Sequence, residues 1–309
     1  HPDLHFAFPV ASTDSIKSHP VSDNFLTEWR QFLTETPYGN LFDWLKTIGI
    51  QNKQGLINVD EAAEINKKLA LKSYEGGYKV MIIWMADKMN TASANKLLKL
   101  LEEPPAKTVF ILITENVNDI LQTILSRCQL IDFIGLSEAV IANALVSREK
   151  CDATLAQKIA HQSEGNYNKA LHLFKKEEDE FPFDEWFVEW VRSAFRAKGN
   201  AAAILDLIAW SEKISKTGRE TQKQFLHYCI QFFRQALLLN YKANDLVFLE
   251  TNVPTFELKK FAPFVNSSNI NEIYKELEDA IYHIERNGSS RIILTDLSIK
   301  LTRLIHKKE

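Results

Sequence analysis

Two apolar strand patterns, each joined to a helix pattern, constrain the fold of this chain more than any other feature. Residues Lys79–Trp84 and Thr108–Thr114 run without an interior polar residue, as expected of strands that are covered on both faces. Between them, Thr91–Leu101 has helical spacing and is followed by Pro104 and Pro105, which stop a helix. Alternation of helices and strands predicts a parallel α/β sheet.

Further elements are predicted on either side of this unit from apolar spacing and from breakers such as Pro37 and Gly39. The residues from 21 to 54 form a long insertion to which the sequence assigns no role. The predicted elements are a strand in residues 1–10, a helical insertion in 22–45, helices in 58–73 and 118–125, and a closing strand at Cys128–Phe133.

After Gly135 the strand pattern stops and only helical patterns follow. The predicted fold class is therefore α/β followed by all-α. The predicted domains are an incomplete parallel-sheet domain in residues 1–135, a small helical domain in 136–178, and a helical domain in 179–309, with a linker at the charge run Lys175–Glu180. The helix predicted at Thr221–Tyr241 has an unusually wide apolar surface, which predicts that the last domain is an oligomerisation collar.

The charge balance limits the classes of partner. The chain has 37 basic and 40 acidic residues and a net charge of −3, so it has no global basic field for nucleic acid. The three cysteines, Cys128, Cys151 and Cys229, are too far apart in sequence for a CxxC metal site or a disulfide framework, which fits a reducing cytoplasm. No apolar run is long enough to predict a membrane span.

One run of motifs is specific. The helix that ends Leu97-Leu98-Lys99-Leu100-Leu101-Glu102-Glu103-Pro104-Pro105 is followed by the strand VFILIT and then by Ser126-Arg127-Cys128. In this order the three motifs resemble the clamp-loader subunits of bacterial DNA polymerase III, which belong to the AAA+ ATPases. The resemblance covers residues 1–175 well, and the rest only in helical character. It implies an AAA+ sheet domain, a helical lid and a helical collar.

The resemblance implies a degenerate nucleotide site. Trp84 and Met85 stand at the Walker B positions, where the family has an Asp-Glu pair that holds Mg²⁺ and orients water. Neither side chain offers the oxygen ligands of a hard cation, and Asp87 lies beyond the strand end. Asn168 stands at the sensor-2 arginine position, beside Lys169, and Thr114 at the sensor-1 position. The chain therefore resembles the family's ATPase-inactive member.

The same resemblance assigns Arg127, flanked by Ser126 and Cys128, as an arginine finger that reaches ATP held by a neighbouring subunit. Taken alone, Arg127 would be an ordinary surface charge. Glu102 and Glu103 are interpreted as the exposed last turn of a helix and as surface for a neighbouring subunit, rather than as a catalytic carboxylate pair. Cys128 is interpreted as a small buried apolar residue.

No cofactor or metal site is expected in these residues, since His1 and His5 lack an evident third ligand. In the family a phosphate loop and a four-cysteine zinc module precede the segment that corresponds to His1-Pro2-Asp3, so the resemblance implies that zinc is bound upstream. It also implies gamma/tau-type motor subunits and the delta subunit as partners, and indirect contact with the sliding clamp and primed DNA.

The leading interpretation is an ATPase-inactive subunit of the polymerase III holoenzyme that helps load the clamp in DNA replication. Two alternatives stay open. An active motor ATPase is disfavoured by Trp84, Met85 and Asn168. A nucleic-acid-binding module would predict a basic stripe, for which the overall charge offers no excess.

Overall fold

The computed structural model describes residues 1–50, 53–175, 181–247 and 253–307. The chain divides into two compact units, His1–Leu136 and Ser137–Glu309. The first boundary falls one residue from the predicted one. The predicted linker Lys175–Glu180 lies outside the described residues except for Lys175, and a separate domain boundary near residue 178 stays a prediction.

The first unit is built on a parallel sheet of three strands, β1 (Leu4–Ala7), β2 (Lys79–Trp84) and β3 (Thr108–Ile113), in the order β1-β2-β3. Ala7 pairs with Ile83, and Trp84 pairs with Ile113. The carboxyl ends of the three strands consequently lie at one edge of the sheet. Trp84, Met85 and Thr114, which the sequence singled out, lie at this edge.

Helices surround this sheet, and capping residues fix where they begin. Asn90 accepts a hydrogen bond from the backbone N–H of Ser93 at 2.8 Å, and Asn58 caps the preceding helix in the same way. Met81 and Ile83 of β2 are fully buried in the core beneath these two helices. The helices of this unit are α1 (Leu26–Glu35), α2 (Leu41–Thr47), α3 (Val59–Ala70), α4 (Thr91–Glu102) and α5 (Gln122–Leu125).

The prediction of a closing strand at Cys128–Phe133 is wrong. This segment forms no strand in the described chain, and Phe133 and Ile134 are 94% and 91% exposed. A strand needs a neighbour to accept and donate its backbone hydrogen bonds, and β3, the last strand of the sheet, pairs only with β2 among the described residues. Cys128–Phe133 does not pair with the outer edge of β3, so its apolar pattern lacks the backbone hydrogen bonds that define a strand.

One face of β3 is also open. Val109, Ile111 and Ile113 alternate along the strand and are 40–43% exposed, whereas Phe110 and Leu112 between them pack against the core. Parallel strands are normally covered on both faces. The sheet of this unit thus has an uncovered face at β3 as well as a free edge.

The second unit is entirely helical in its described residues, so the predicted class, α/β followed by all-α, is confirmed. Ser137 caps its first helix, since its side chain accepts the backbone N–H of Val140. Ile141, Leu145 and Ile159 belong to a small core, separate from the large one that begins at Trp186. In the described ranges no helix combines the length and the apolar character that crossing a membrane requires. The helices are α6 (Glu138–Glu149), α7 (Ala153–Gln162), α8 (Tyr167–Lys175), α9 (Phe183–Arg196), α10 (Ala201–Ser215), α11 (Arg219–Asn240), α12 (Leu258–Phe261), α13 (Ile270–Glu285) and α14 (Ser290–Leu304).

The wide apolar surface of α11 is used inside this unit. Phe225, Cys229, Phe232 and Phe233 are fully buried in the large core, and Phe232 stacks on Phe187 of α9 at 3.9 Å between ring centroids. Neighbouring helices of the same unit cover this wide surface, so its width does not by itself require a partner subunit. The oligomerisation collar itself stays a prediction.

Candidate functional site at the carboxyl edge of the sheet

Trp84 and Met85 are the residues at the Walker B positions. Trp84 ends β2, Met85 follows it, and both pack in an aromatic cluster. The ring of Trp84 lies 5.2 Å from that of Trp29 and 6.0 Å from that of Phe32, between centroids. Met85 turns the chain with φ +54°, in the left-handed region, and is only 4% exposed. We define the aromatic cluster as Phe8, Trp29, Phe32, Trp44, Trp84 and Met85.

The insertion between residues 21 and 54 supplies the cover of this cluster. Phe8, directly after β1, stacks on Trp29 of α1 at 4.2 Å, and Trp29 meets Trp44 of α2 edge-on at 5.1 Å. The indole Nε1 of Trp44 donates a hydrogen bond to the carbonyl of Pro9 at 2.8 Å. The insertion therefore packs apolar rings over the strand ends, a role that its sequence spacing alone did not indicate.

Polar groups at this edge are engaged with one another. The side chain of Asp87 is 3% exposed, lies 3.0 Å from the ammonium of Lys88, and accepts a hydrogen bond from the Thr114 hydroxyl at 2.8 Å. The Thr114 oxygen also accepts the backbone N–H of Asn116 at 3.1 Å. Desolvation, with a smaller contribution from Asp87, raises the pKa of Glu115. These contacts tie the end of β3 to the turn after β2.

Arg127 follows α5 at the surface, and its guanidinium faces its own chain. Nε donates to Oε1 of Glu102 at 2.8 Å, and Nη2 contacts the same oxygen. Nη1 donates to the carbonyl of Thr123 at 2.5 Å and lies 3.2 Å from Oγ of Ser126. The spacing of these residues in the sequence did not indicate the pair with Glu102.

Cys128 is exposed, which corrects its interpretation as a residue of a buried strand. Partial desolvation nevertheless raises the pKa of its thiol, so the geometry does not favour a reactive thiolate.

Asn168 and Lys169, which the resemblance assigns to the sensor-2 region, lie on α8 in the second unit. The ammonium of Lys169 is 3.4 Å from a carboxylate oxygen of Glu164, which also pairs with Arg234 at 2.5 Å. Lys169 therefore has a counter-ion within its own unit.

His1 and His5 do not belong to a shared cluster of possible metal ligands. His1 lies 3.3 Å from Glu75, and burial, followed by the charge of Lys68, lowers the pKa of His5. Over the described ranges, no group of three or more His, Cys, Asp or Glu residues could hold a metal ion.

Comparison with known proteins agrees with the motifs. Residues 40–137 match the family model described as DNA polymerase III, delta subunit. The DNA polymerase III subunit delta' of Escherichia coli is 36% identical over 132 residues, which is 42% of this chain and 39% of that protein. Over this region the chain is delta-prime-like. The subunit delta' of Bacillus subtilis is also 36% identical, over 111 residues, 36% of this chain and 32% of that protein.

The delta-prime-like region, residues 40–137, contains Trp84, Met85, Thr114 and Arg127 but not Asn168. Its similarity extends to a second kind of subunit, since the DNA polymerase III subunit tau of Bacillus subtilis is 36% identical over 120 residues, 37% of this chain and 21% of that protein. The chain spans about two fifths or less of the length of these relatives. The resemblance to subunits of DNA polymerase III is confirmed for this region.

Proposed function

We propose that this chain is the ATPase-inactive, delta-prime kind of subunit of a DNA polymerase III clamp loader, and that it supplies Arg127 to ATP bound by a neighbouring subunit. The observation that carries the proposal is the burial of Met85 and the packing of the partly buried Trp84 in the aromatic cluster. Hydrolysis in cis would need carboxylates at this place.

The chemistry of the strand ends supports the first half of the proposal. Mg²⁺ takes oxygen ligands and needs room for several waters, whereas Met85 is 4% exposed among apolar rings. The nearest carboxylate along the chain, Asp87, already has Thr114 and Lys88 as partners. A metal ion at Asp87 would have to displace these two contacts.

The character of Arg127 supports the second half. A guanidinium is planar, permanently charged and able to bind two phosphoryl oxygens at once. Arg127 lies at the surface, after α5, with 30% of its side chain exposed. In related cases an arginine supplied in trans is worth about 10³ to 10⁵ in rate.

The proposal includes partners. Gamma/tau-type motor subunits would hold the ATP that Arg127 reaches, the delta subunit would complete the assembly, and the sliding clamp and primed DNA would be contacted through the complex, in the cytoplasm. The helices of residues 179–309 would serve as the collar, and residues 136–178 as the lid.

The test replaces Arg127 by Ala and by Lys in the reconstituted complex and measures ATP turnover stimulated by clamp and DNA. Arg127→Ala should leave folding within about 0.5 kcal/mol, because exposed residues contribute little, and should slow hydrolysis at one interface. Arg127→Lys keeps the charge but not the planar arrangement of donors, so it should restore ATP turnover only in part. Normal clamp loading by both variants would make Arg127 an ordinary surface residue. Separately, the purified full-length protein should release no phosphate from ATP.

A further inference from the structure

The contacts of Arg127 raise a difficulty for a residue that acts on a neighbour. A guanidinium has five N–H donors on three nitrogens, and here all three nitrogens are engaged by the residue's own chain. Nε and Nη2 point at Glu102, and Nη1 points at the carbonyl of Thr123. The side chain is therefore folded back against the ends of α4 and α5 and is not presented outward.

Binding two phosphoryl oxygens and binding Glu102 are mutually exclusive for most of these donors. A phosphoryl group would need a pair of N–H groups on one edge of the plane. The Nε and Nη2 edge is held by Oε1 of Glu102, and Nη1 is held from the other side. Arg127 must leave Glu102 to offer its Nε and Nη2 edge to a nucleotide.

We infer that Glu102 is a latch: its carboxylate holds Arg127 against its own chain, and the arginine becomes available only when the triphosphate of a neighbouring subunit replaces that carboxylate. This inference rests on the proposed function, because it concerns the regulation of the same arginine. The ligand that opens the latch is defined by its chemistry, a phosphoryl group with more charge and more acceptor oxygens than one carboxylate.

The exposure of the pair sets the strength of the latch. The side chains of Arg127 and Glu102 are 30% and 45% exposed, so water screens their attraction. A pair of this kind shifts an equilibrium by about two- to five-fold. A weakly binding or misplaced anion therefore does not displace Glu102 from Arg127, whereas a correctly placed triphosphate does.

Glu102 alone has this role, although Glu103 follows it. Glu102 is the last residue of α4 and Glu103 is the residue that caps its end. Adjacent residues on a helix point in different directions, and the contacts of Arg127 go to Glu102. Glu103→Gln removes the same charge from the same turn, so it is the matched control.

The first experiment measures how accessible Arg127 is in the whole chain. Phenylglyoxal modifies free guanidinium groups, and mass spectrometry of peptides gives the rate at Arg127. Glu102→Gln should raise this rate about two- to five-fold, and Glu103→Gln should leave it unchanged. Equal rates in the wild-type chain and in Glu102→Gln would overturn the latch without affecting the proposed function.

The second experiment measures ATP turnover of the reconstituted complex without clamp or DNA. Glu102→Gln should raise turnover about two- to five-fold, and it should have no effect when Arg127→Ala is also present. Slower turnover in Glu102→Gln would mean that Glu102 positions Arg127 for reaction, and an effect that persists with Arg127→Ala would mean that it acts elsewhere; each overturns the latch. If Arg127→Ala leaves the turnover stimulated by clamp and DNA unchanged, the proposed function fails, and the latch fails with it.

Discussion

Trp84 at the end of β2 and Trp29 of the insertion helix α1 pack ring against ring, 5.2 Å between centroids. Trp29 also contacts Phe8, Phe32 and Trp44, and it is 2% exposed. This single side chain therefore connects the insertion to the strand ends.

Trp29→Ala should destabilise the chain by about 3 to 5 kcal/mol, because it removes a large buried ring and leaves a cavity that its neighbours cannot fill. Chemical denaturation measures the change. Trp29→Phe, which keeps an aromatic ring, should cost much less. A loss below about 1 kcal/mol for Trp29→Ala would show that the insertion is not held through this residue.

Met85→Glu, which returns a carboxylate to the Walker B position, should not create an ATPase. It should cost about 3 kcal/mol or more, since the charge would be buried among apolar rings without a partner. Met85→Leu, which conserves volume, should cost less than about 1.5 kcal/mol. Thermal unfolding and phosphate release from ATP are the two measurements. A stable Met85→Glu protein that hydrolyses ATP would contradict both the packing and the proposed function.

Glu61 of α3 should make stability depend on pH. Its Oε2 accepts the backbone N–H of Ser22 at 2.5 Å, its Oε1 has no hydrogen-bond partner, and burial raises its pKa. The carboxyl group of Glu61 therefore binds its proton more tightly in the folded state than in the unfolded state. Its contribution to the stability of the folded state is favourable at low pH. It should be lost as pH rises from the ordinary glutamate pKa of about 4.3 through the raised pKa.

Urea midpoints measured at a series of pH values test this prediction. Glu61→Gln carries no such proton, so the fall in stability over that pH range should become smaller in this variant. Glu64→Gln, on the same helix, should keep the wild-type pH dependence. Identical pH profiles for the wild type and Glu61→Gln would assign the pH dependence to other groups.

The free edge of β3 predicts an alternation in hydrogen exchange. In a parallel pair, alternate amides of Thr108–Ile113 bond to β2 and the others face away from it. The outward amides should exchange with solvent faster than the inward ones, and assembly with partner subunits should slow them if a strand is added at this edge. Uniform protection along β3 in the isolated chain would mean that the edge is already paired.

The sequence was sufficient to predict the elements whose bounds depend on residues close by in the chain. β2 and α4 form within one residue of their predicted bounds, because the apolar run of β2, capping by Asn90 and the stop at Pro104 act over a few residues. The strand predicted at Cys128–Phe133 fails for the opposite reason, since a strand depends on a distant neighbour.

The candidate site was predictable in residue types but not in contacts. Trp84 and Met85 stand out in the sequence as apolar residues at a place that suits carboxylates. Their packing in the aromatic cluster, where Trp84 contacts Trp29 and Phe32, depends on segments far apart in the chain, and no periodicity of the sequence predicts it. The pairing of Arg127 with Glu102 is equally non-local.

The uncovered apolar residues of the first unit have a consequence for handling the protein. Val109, Ile111 and Ile113 on β3, and Phe133 and Ile134 after α5, present aliphatic and aromatic surface to solvent on the same unit. Such surface, beside an unpaired strand edge, promotes self-association. The isolated chain should therefore show scattering that increases with concentration and with salt, and co-expression with the proposed partner subunits should raise the yield of monodisperse material.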